Sequence, residues 1–555
     1  MLEFPLKNPE IELTQIQQDA VARALFGGSM LLSFTVGLGK SFTYMASIME
    51  SKRLGICSNA CVVVPKNLLL QTATEFYRLY PTATLLLARE EDFKKDNRER
   101  FLNKIAFGDF DAVILTREQF TKIPMSPEYN ADNLRHEIMQ HKEALESCDG
   151  NDRFTVANLQ KRLQNLKTKL LRAVEKVSEH QDDKTLYFEQ LGFNMLVVDE
   201  AHAYKNLPVV TGLSNISGVF TAACQRATDM EMKCSYIRNV RADMVEDENF
   251  EAGIIFVTGT PVSNSLSELY TMNKYLRPLL LKSYGVYHFD SWRKSFGEVV
   301  SALEIKPEGN GFQMKERFSR YINVPQLMEM IHQFIEIKDN SYASFKLPLM
   351  NRVNVETPQT DLIKNAIDEF TIRADAIRDG LVSNENDNML KVLMDGRKLG
   401  VDPRLLDPNL PDDPDSKVNI VKNYVVKYYH ECEDRRGTQV VFCDLGVPHA
   451  DDSFSVYVDL KEKLVLAGIP REEIAFIHDA KNDKEQLEIY SKMNEGEYRI
   501  LIGSTERCGT GANFQRRLYA MHNLDCPFSP SDLEQRVGRI VRNGNIFEDV
   551  YYNTY

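Results

Sequence analysis

Along the first half of the chain, short apolar runs alternate with stretches of helical period. Met30–Leu32, Cys61–Val64, Ala112–Leu115, Met195–Val198 and Ile254–Val257 are uninterrupted apolar runs. Runs this short read as strands covered on both faces, and the helical stretches between them predict a parallel sheet with helices on either side. The rhythm breaks between Asp132 and Gln181. There Leu159, Leu163, Leu166, Leu170 and Val174 recur at helical spacing among Lys, Arg, Gln and Glu, which is the pattern of an amphipathic helix. Leu134, Ile138 and Leu145 predict a partner helix, with Cys148-Asp-Gly-Asn-Asp as the turn. The expectation is a helical hairpin inserted at about 125–190, either a solvated spacer or an arm for DNA or a protein partner.

From about Tyr287 to Asp415 the pattern is less regular and rich in charge and proline, and Leu410-Pro-Asp-Asp-Pro-Asp-Ser reads as a linker. Alternation then returns with Gln439–Cys443, Ile474–Ile477, Arg499–Gly503, Tyr519–Asn523 and Val550–Tyr555. The expected fold class is α/β: a first parallel-sheet domain over 1–285, a helical or irregular connection over 286–415, and a second sheet domain over 416–555. No repeat of fixed period and no low-complexity tract interrupts this plan.

A chain of 555 residues that is 43% hydrophobic has material for several cores. The net charge of −13 argues against a protein that coats nucleic acid non-specifically, while leaving room for a local basic groove. Nine cysteines without a CxxC pair argue against a zinc ribbon or a disulfide framework, and scattered free thiols suit a reducing cytoplasm. The N-terminus lacks the basic segment and apolar run of a signal peptide, and no apolar window is long enough to span a bilayer. The expected location is the cytoplasm, with no membrane partner.

Five motifs follow in order. Ser33-Phe-Thr-Val-Gly37-Leu-Gly39-Lys40-Ser41 lies between a strand and a helix. Such a glycine turn lets backbone amides surround phosphates, with Lys40 at the β and γ phosphates and the Ser41 hydroxyl on Mg²⁺. Phe34 stands where the full phosphate-loop pattern has glycine. Leu196-Val-Val-Asp199-Glu200-Ala-His202 puts two carboxylates at the end of a buried strand, where ligands of such sheets bind: Asp199 for Mg²⁺, Glu200 for the attacking water. Val257-Thr258-Gly259-Thr260-Pro261 is another strand end, whose hydroxyls can sense a γ-phosphate. Gly503-Ser-Thr-Glu-Arg-Cys-Gly-Thr510-Gly511-Ala-Asn513 permits close backbone approach to a ligand. Last, Glu534-Gln535-Arg-Val-Gly-Arg539-Ile-Val-Arg542 places Gln535, Arg539 and Arg542 on one face if the helix runs through them. Each alone also reads as a plain turn, an acidic strand end or a solvated basic helix. The ordered set is far more specific.

That set resembles motifs I, II, III, V and VI of superfamily-two helicases, nearest their Swi/Snf-like DNA-translocase branch. EAHAYKNL, TGTPVSNSLSELYTM, FDSWRKSFGEV and LDCPFSPSDLEQRVGRIVRNGN resemble the helicase part of phage- and plasmid-borne proteins that often join an adenine methyltransferase to a helicase, some linked to antirestriction. The resemblance runs from about Leu13 to Gly544. It implies two RecA-like P-loop NTPase lobes, with ATP and Mg²⁺ as cofactors. It further implies that Gln17 reads adenine, that Gly511 approaches the nucleotide, and that Arg539 and Arg542 are arginine fingers. His202 and Thr258–Thr260 would couple hydrolysis to lobe movement. Lys66, Asn67, Thr116, Arg117, Thr510 and Asn513 would touch nucleic acid. Val440-Val-Phe-Cys-Asp444 resembles motif IV, and the segments Asp395–Lys398 and Asp402–Arg404 resemble a lead into the second lobe. No NPPY- or DPPY-like motif is present, so methyltransferase activity is not expected, and the stop soon after Gly544 is expected to mark a fragment or split gene product.

The implied function is an ATP-dependent translocase on double-stranded DNA in a bacterial host. Two other readings stand beside it. One is a nucleotide-gated interaction subunit serving a separate methyltransferase or nuclease, and the other is an RNA remodeller.

Overall fold

The computed structural model describes the chain apart from residues 1–2, 36, 95–96, 147–152, 180–185, 212–215, 217, 263–264, 306–311, 343–346, 384, 449–453, 510–512 and 528. It divides into two compact units: Met1–Ala302 with Lys315–Ala343, and Leu303–Met314 with Ser344–Tyr555.

The first unit is built on seven strands: β1 Met30–Phe34, β2 Ala60–Val64, β3 Leu85–Leu87, β4 Ala112–Thr116, β5 Met195–Asp199, β6 Ile254–Val257 and, beyond a two-stranded ribbon of β7 Gly297–Ile305 and β8 Phe312–Tyr321, β9 Ile335–Lys338. Their order across the sheet is β3-β4-β2-β5-β6-β1-β9, and every recorded pairing is parallel. Strands β1, β2, β4, β5 and β6 are buried along their whole length, which is why they appear in the sequence as continuous apolar runs. Because the strands are parallel, the carboxyl ends of β5, β6 and β1 lie side by side, with Asp199 opposite Val257 and Val257 opposite Leu32. Between β4 and β5 run the helices Pro127–Glu146 and Arg153–Glu179. Ser126 starts the first of these, its Oγ accepting the Tyr129 amide at 3.2 Å, with Pro127 as the first helical residue. Ile138 and Leu166 are buried, while Val174 is exposed. The expected turn at Cys148–Asp152 lies outside the described residues.

The second unit holds β10 Leu349–Asn354, β11 Thr438–Phe442, β12 Ile474–Phe476, β13 Ile500–Gly503, β14 Leu518–Asn523 and β15 Asp549–Thr554, in the order β10-β15-β14-β11-β13-β12, again all parallel. Helices such as Lys417–Glu431 and Val456–Leu466 cover this sheet with buried Val418, Val421, Val425, Leu460 and Leu464.

The expected connection over 286–415 is corrected. It supplies an edge strand to each sheet, and the second unit takes in Leu303–Met314 and Ser344–Tyr555 rather than 416–555 alone. The physical reason is edge position. In Ile335-Glu-Ile-Lys338 only Ile335 is buried, and Leu349–Asn354 has no buried residue, so neither leaves an apolar run.

Candidate active site

Strand β1 delivers the chain to a turn in which Gly37 and Gly39 adopt φ of 99° and 80°, a region that a side chain enters only with strain. The helix Lys40–Arg53 begins immediately after, so its amino end opens onto the mouth of the sheet. Lys40 Nζ donates to the Phe34 carbonyl at 2.7 Å. Gln17 braces the turn from outside. Its Nε2 donates to the Gly39 carbonyl at 3.2 Å and its Oε1 accepts the Thr14 amide at 2.8 Å. A methyl on Gly39 would lie 2.1 Å from Gln17 Nε2. On the other side the missed strand β9 contributes, the Lys338 carbonyl accepting the Thr35 amide at 2.9 Å.

Asp199 is the last residue of β5, and Glu200 follows with φ 51° and ψ 49°. A left-handed glutamate is uncommon and costs about 1–2 kcal/mol. The turn redirects the chain so that Glu200 and His202 face the same mouth as Lys40. The Glu200 amide donates to Asp199 Oδ1 at 2.8 Å, and Arg117 Nη2 donates to the Glu200 carbonyl at 3.0 Å. His202 Nδ1 lies 3.2 Å from Glu200 Oε2 and 3.1 Å from Thr258 Oγ1. Thr258, fully buried just past β6, also accepts the Thr260 amide at 3.1 Å. Lys40, Asp199, Glu200, His202 and Thr258 are thus gathered at the carboxyl ends of three adjacent strands.

The electrostatics fit a cation and an anion in that place. Burial, and then the charge of Glu200, raise the Asp199 carboxyl above its ordinary range, with Lys40 and Arg117 acting the other way. Burial also opposes ionisation of Glu200, but the His202 hydrogen bond and charge, with Lys40 and Arg117, hold it low. A divalent cation restores a carboxylate raised in this manner. Among the described residues no cluster of three or more His, Cys, Asp or Glu side chains could hold a metal alone.

The residues expected to touch nucleic acid are placed unevenly. Lys66 is exposed on the turn Lys66–Leu68 after β2, ion-paired with Glu90, and Asn67 adjoins it. Thr116 is buried, and its hydroxyl accepts the Gln119 amide at 3.3 Å to cap the helix Arg117–Thr121, so it offers no free surface. Arg117 reaches the Glu200 turn. Thr510 and Gly511 lie outside the described residues. The backbone carbonyl of Asn513 accepts from Asn494 at 2.8 Å.

In the second unit, Asp444, Thr505 and Asp525 each stand two residues beyond the end of a strand, β11, β13 and β14, which are neighbours in the sheet. Arg536, fully buried on the helix Pro530–Ile540, binds all three: Nη2 donates to Asp444 Oδ2 at 3.0 Å, to Asp525 Oδ1 at 3.0 Å and to Thr505 Oγ1 at 2.6 Å. Nη1 donates to Asn523 Oδ1 at 3.1 Å, and Nε to Thr505 Oγ1 at 2.9 Å. Sequence reasoning gave Arg536 no part. The available signal was the polar residue recurring at the same offset beyond three apolar runs. Of the expected motif VI face, Arg539 is buried and Gln535 half-buried on this helix. The helix ends at Ile540, however, so Arg542 lies on the following turn and the single helical face is corrected.

A family model for a probable helicase domain matches residues 25–340, and one for the helicase conserved C-terminal domain matches 418–544. Defense against restriction protein B of Escherichia phage P1 is 22% identical over 411 residues, which is 65% of this chain and 17% of that protein. The chain thus spans about a sixth of that relative's length. Among solved structures, the Sulfolobus solfataricus SWI2/SNF2 ATPase core in complex with dsDNA shows 16% identity and a TM-score of 0.36, covering 100% of this chain and 89% of that one. The Sulfolobus solfataricus SWI2/SNF2 ATPase core domain shows 15% identity and a TM-score of 0.35, covering 100% and 87%.

Proposed function

We propose, from the premise that this chain belongs to the helicase family matched over residues 25–340 and is a helicase-type ATPase, that it couples ATP hydrolysis to movement along double-stranded DNA. The observation carrying this reading is the gathering of Lys40, Asp199, Glu200 and the His202–Thr258 pair at one sheet mouth. A site for nucleotide binding alone needs the glycine turn and the lysine. It has no use for a strained glutamate fixed beside a histidine that also touches the next strand.

In this reading Lys40 and the amides of the Gly37–Gly39 turn hold the β and γ phosphates. Asp199 and Ser41 would hold Mg²⁺, which supplies charge neutralisation at the phosphates. Glu200 orients and accepts a proton from the attacking water. His202 carries the state of Glu200 to Thr258, and Thr260 follows through its amide. Gln17 positions the turn by its hold on Gly39. Gln535, Arg539 and Arg542 are the motif VI side chains proposed to act on the phosphates, Gln535 as a neutral hydrogen-bonding group and the two arginines as charges. Lys66, Asn67 and Asn513 are the proposed DNA contacts, together with Thr510, and Gly511 approaches the nucleotide.

The test is an ATPase assay of the full chain with duplex DNA, single-stranded DNA, duplex RNA or no nucleic acid. Duplex DNA is expected to raise turnover well above the basal rate and above the RNA arm. A rate indifferent to every nucleic acid would overturn the motor. A co-purifying methyltransferase or nuclease alongside that indifference would favour an interaction subunit, and preferential stimulation by RNA a remodeller.

A further inference from the structure

The turn that carries Glu200 and His202 has its carbonyls gripped by side chains from three separate elements. Arg117, first residue of the helix Arg117–Thr121, donates to the Glu200 carbonyl at 3.0 Å. Arg226, at the start of the helix Gln225–Val245, donates to the Ala203 carbonyl at 2.9 Å. Tyr275, on the helix Ser267–Leu276, donates to the Tyr204 carbonyl at 3.0 Å and to the Ala227 carbonyl at 3.1 Å. Of these three donors, Arg117 is the one that reaches the glutamate itself, at the peptide that follows the left-handed φ of 51°.

The contrast with Arg536 is informative. Arg536 spreads its donors over three side-chain oxygen sites at strand ends, Asn523 and a backbone carbonyl, as a structural staple does. Arg117 has its Nε buried without a hydrogen-bond partner among the described residues. Its guanidinium is held through Nη2 against the left-handed residue of the site. A strained backbone persists only where its surroundings over-determine it, and a charged donor on that carbonyl is such a constraint.

We infer that Arg117 is a positioning residue for hydrolysis: by holding the Glu200 carbonyl it keeps Glu200 in its left-handed conformation, with the carboxylate beside His202. This deepens the proposed ATPase reading and rests on it. Arg117 touches neither nucleotide nor water in this role. It acts through the backbone of Glu200.

The experiment compares Arg117→Ala and Arg117→Lys with the unaltered full chain and with Glu200→Gln, alone and combined with Arg117→Ala. Arg117→Ala is expected to lower kcat roughly tenfold, the size of effect given by losing one charged hydrogen bond. The KM for ATP and the melting temperature should stay nearly unchanged, and Arg117→Lys should restore part of kcat. In the Glu200→Gln background Arg117→Ala should cost almost nothing further, because residues acting through one another are not additive. Amide hydrogen exchange over Glu200–Lys205 should quicken roughly tenfold in Arg117→Ala while the rest of the first unit is unaltered, a readout that needs no turnover. Wild-type kcat and wild-type exchange in Arg117→Ala, or a fully additive double variant, would overturn the inference. An unaltered chain without ATPase activity would instead defeat the functional reading, and unchanged exchange would still decide against Arg117.

Discussion

His202 and Thr258 meet at 3.1 Å between Nδ1 and Oγ1, and they come from the ends of two strands that pair in the sheet. The same imidazole nitrogen lies 3.2 Å from Glu200, so one side chain touches both the residue proposed to handle water and the strand that follows it. His202→Ala and Thr258→Ala are each expected to lower DNA-stimulated turnover about three- to tenfold, and the double variant to be little worse than the stronger single. The coupling should fall in the range of about 0.5–3 kcal/mol for residues in one hydrogen-bonded network. Steady-state ATPase rates of the four proteins measure it, and strict additivity would show that the pair does not act together.

Lys40→Ala should remove turnover while leaving the fold intact. Its ammonium donates to the Phe34 carbonyl, and a bond of this kind contributes only about 1 kcal/mol net. ATP binding by calorimetry is expected to weaken sharply and the melting temperature to move little. Turnover at the unaltered rate would remove the glycine turn from the site.

Arg536 predicts a stability effect confined to the second unit. Breaking a buried, paired charge by removing one partner costs about 3–5 kcal/mol, and Arg536→Ala strands Asp444 and Asp525 at the strand ends. Arg536→Lys should recover only a fraction, because a point charge cannot reproduce the guanidinium fork. The chain has a single tryptophan, Trp292, buried in the core of the first unit. Urea unfolding followed by tryptophan fluorescence should therefore be nearly unaltered, while near-ultraviolet dichroism from the tyrosines of the second unit shifts to lower urea. Coincident shifts in both probes would contradict a local staple.

What the sequence disclosed, and what it hid, follows from where each residue sits. The interior strands were legible because burial on both faces leaves nothing but apolar residues, as in Ala60–Val64. Edge strands such as Leu349–Asn354 were hidden because solvent on one side permits any pattern. Lys40, Asp199 and Glu200 were legible because each ends or follows a buried strand. The contacts of Arg117 and Arg536 were not, since an arginine spacing carries no record of which carbonyl or carboxylate it meets across the fold. The single helical face was drawn too long because helical spacing was extended to Arg542, past Ile540, where the helix ends.

A last prediction concerns acid. His522 is fully buried on β14, with Nδ1 2.7 Å from the Tyr555 hydroxyl and Nε2 2.9 Å from Gln439 Oε1. Gln439 Oε1 can only accept, so Nε2 carries the proton and Nδ1 accepts from Tyr555, which makes the ring neutral. Burial pushes this imidazole down from 6.5 to about 3. The folded state thus binds fewer protons than the unfolded state between those values, and stability rises with pH across that interval. The contribution is complete above about pH 6.5 and is lost progressively as the pH falls towards about 3. Urea midpoints from tyrosine dichroism should decline over that window, and His522→Gln, which has no titratable group, should flatten the decline while lowering the plateau at neutral pH. An acid slope unchanged in His522→Gln would show that other groups govern the loss.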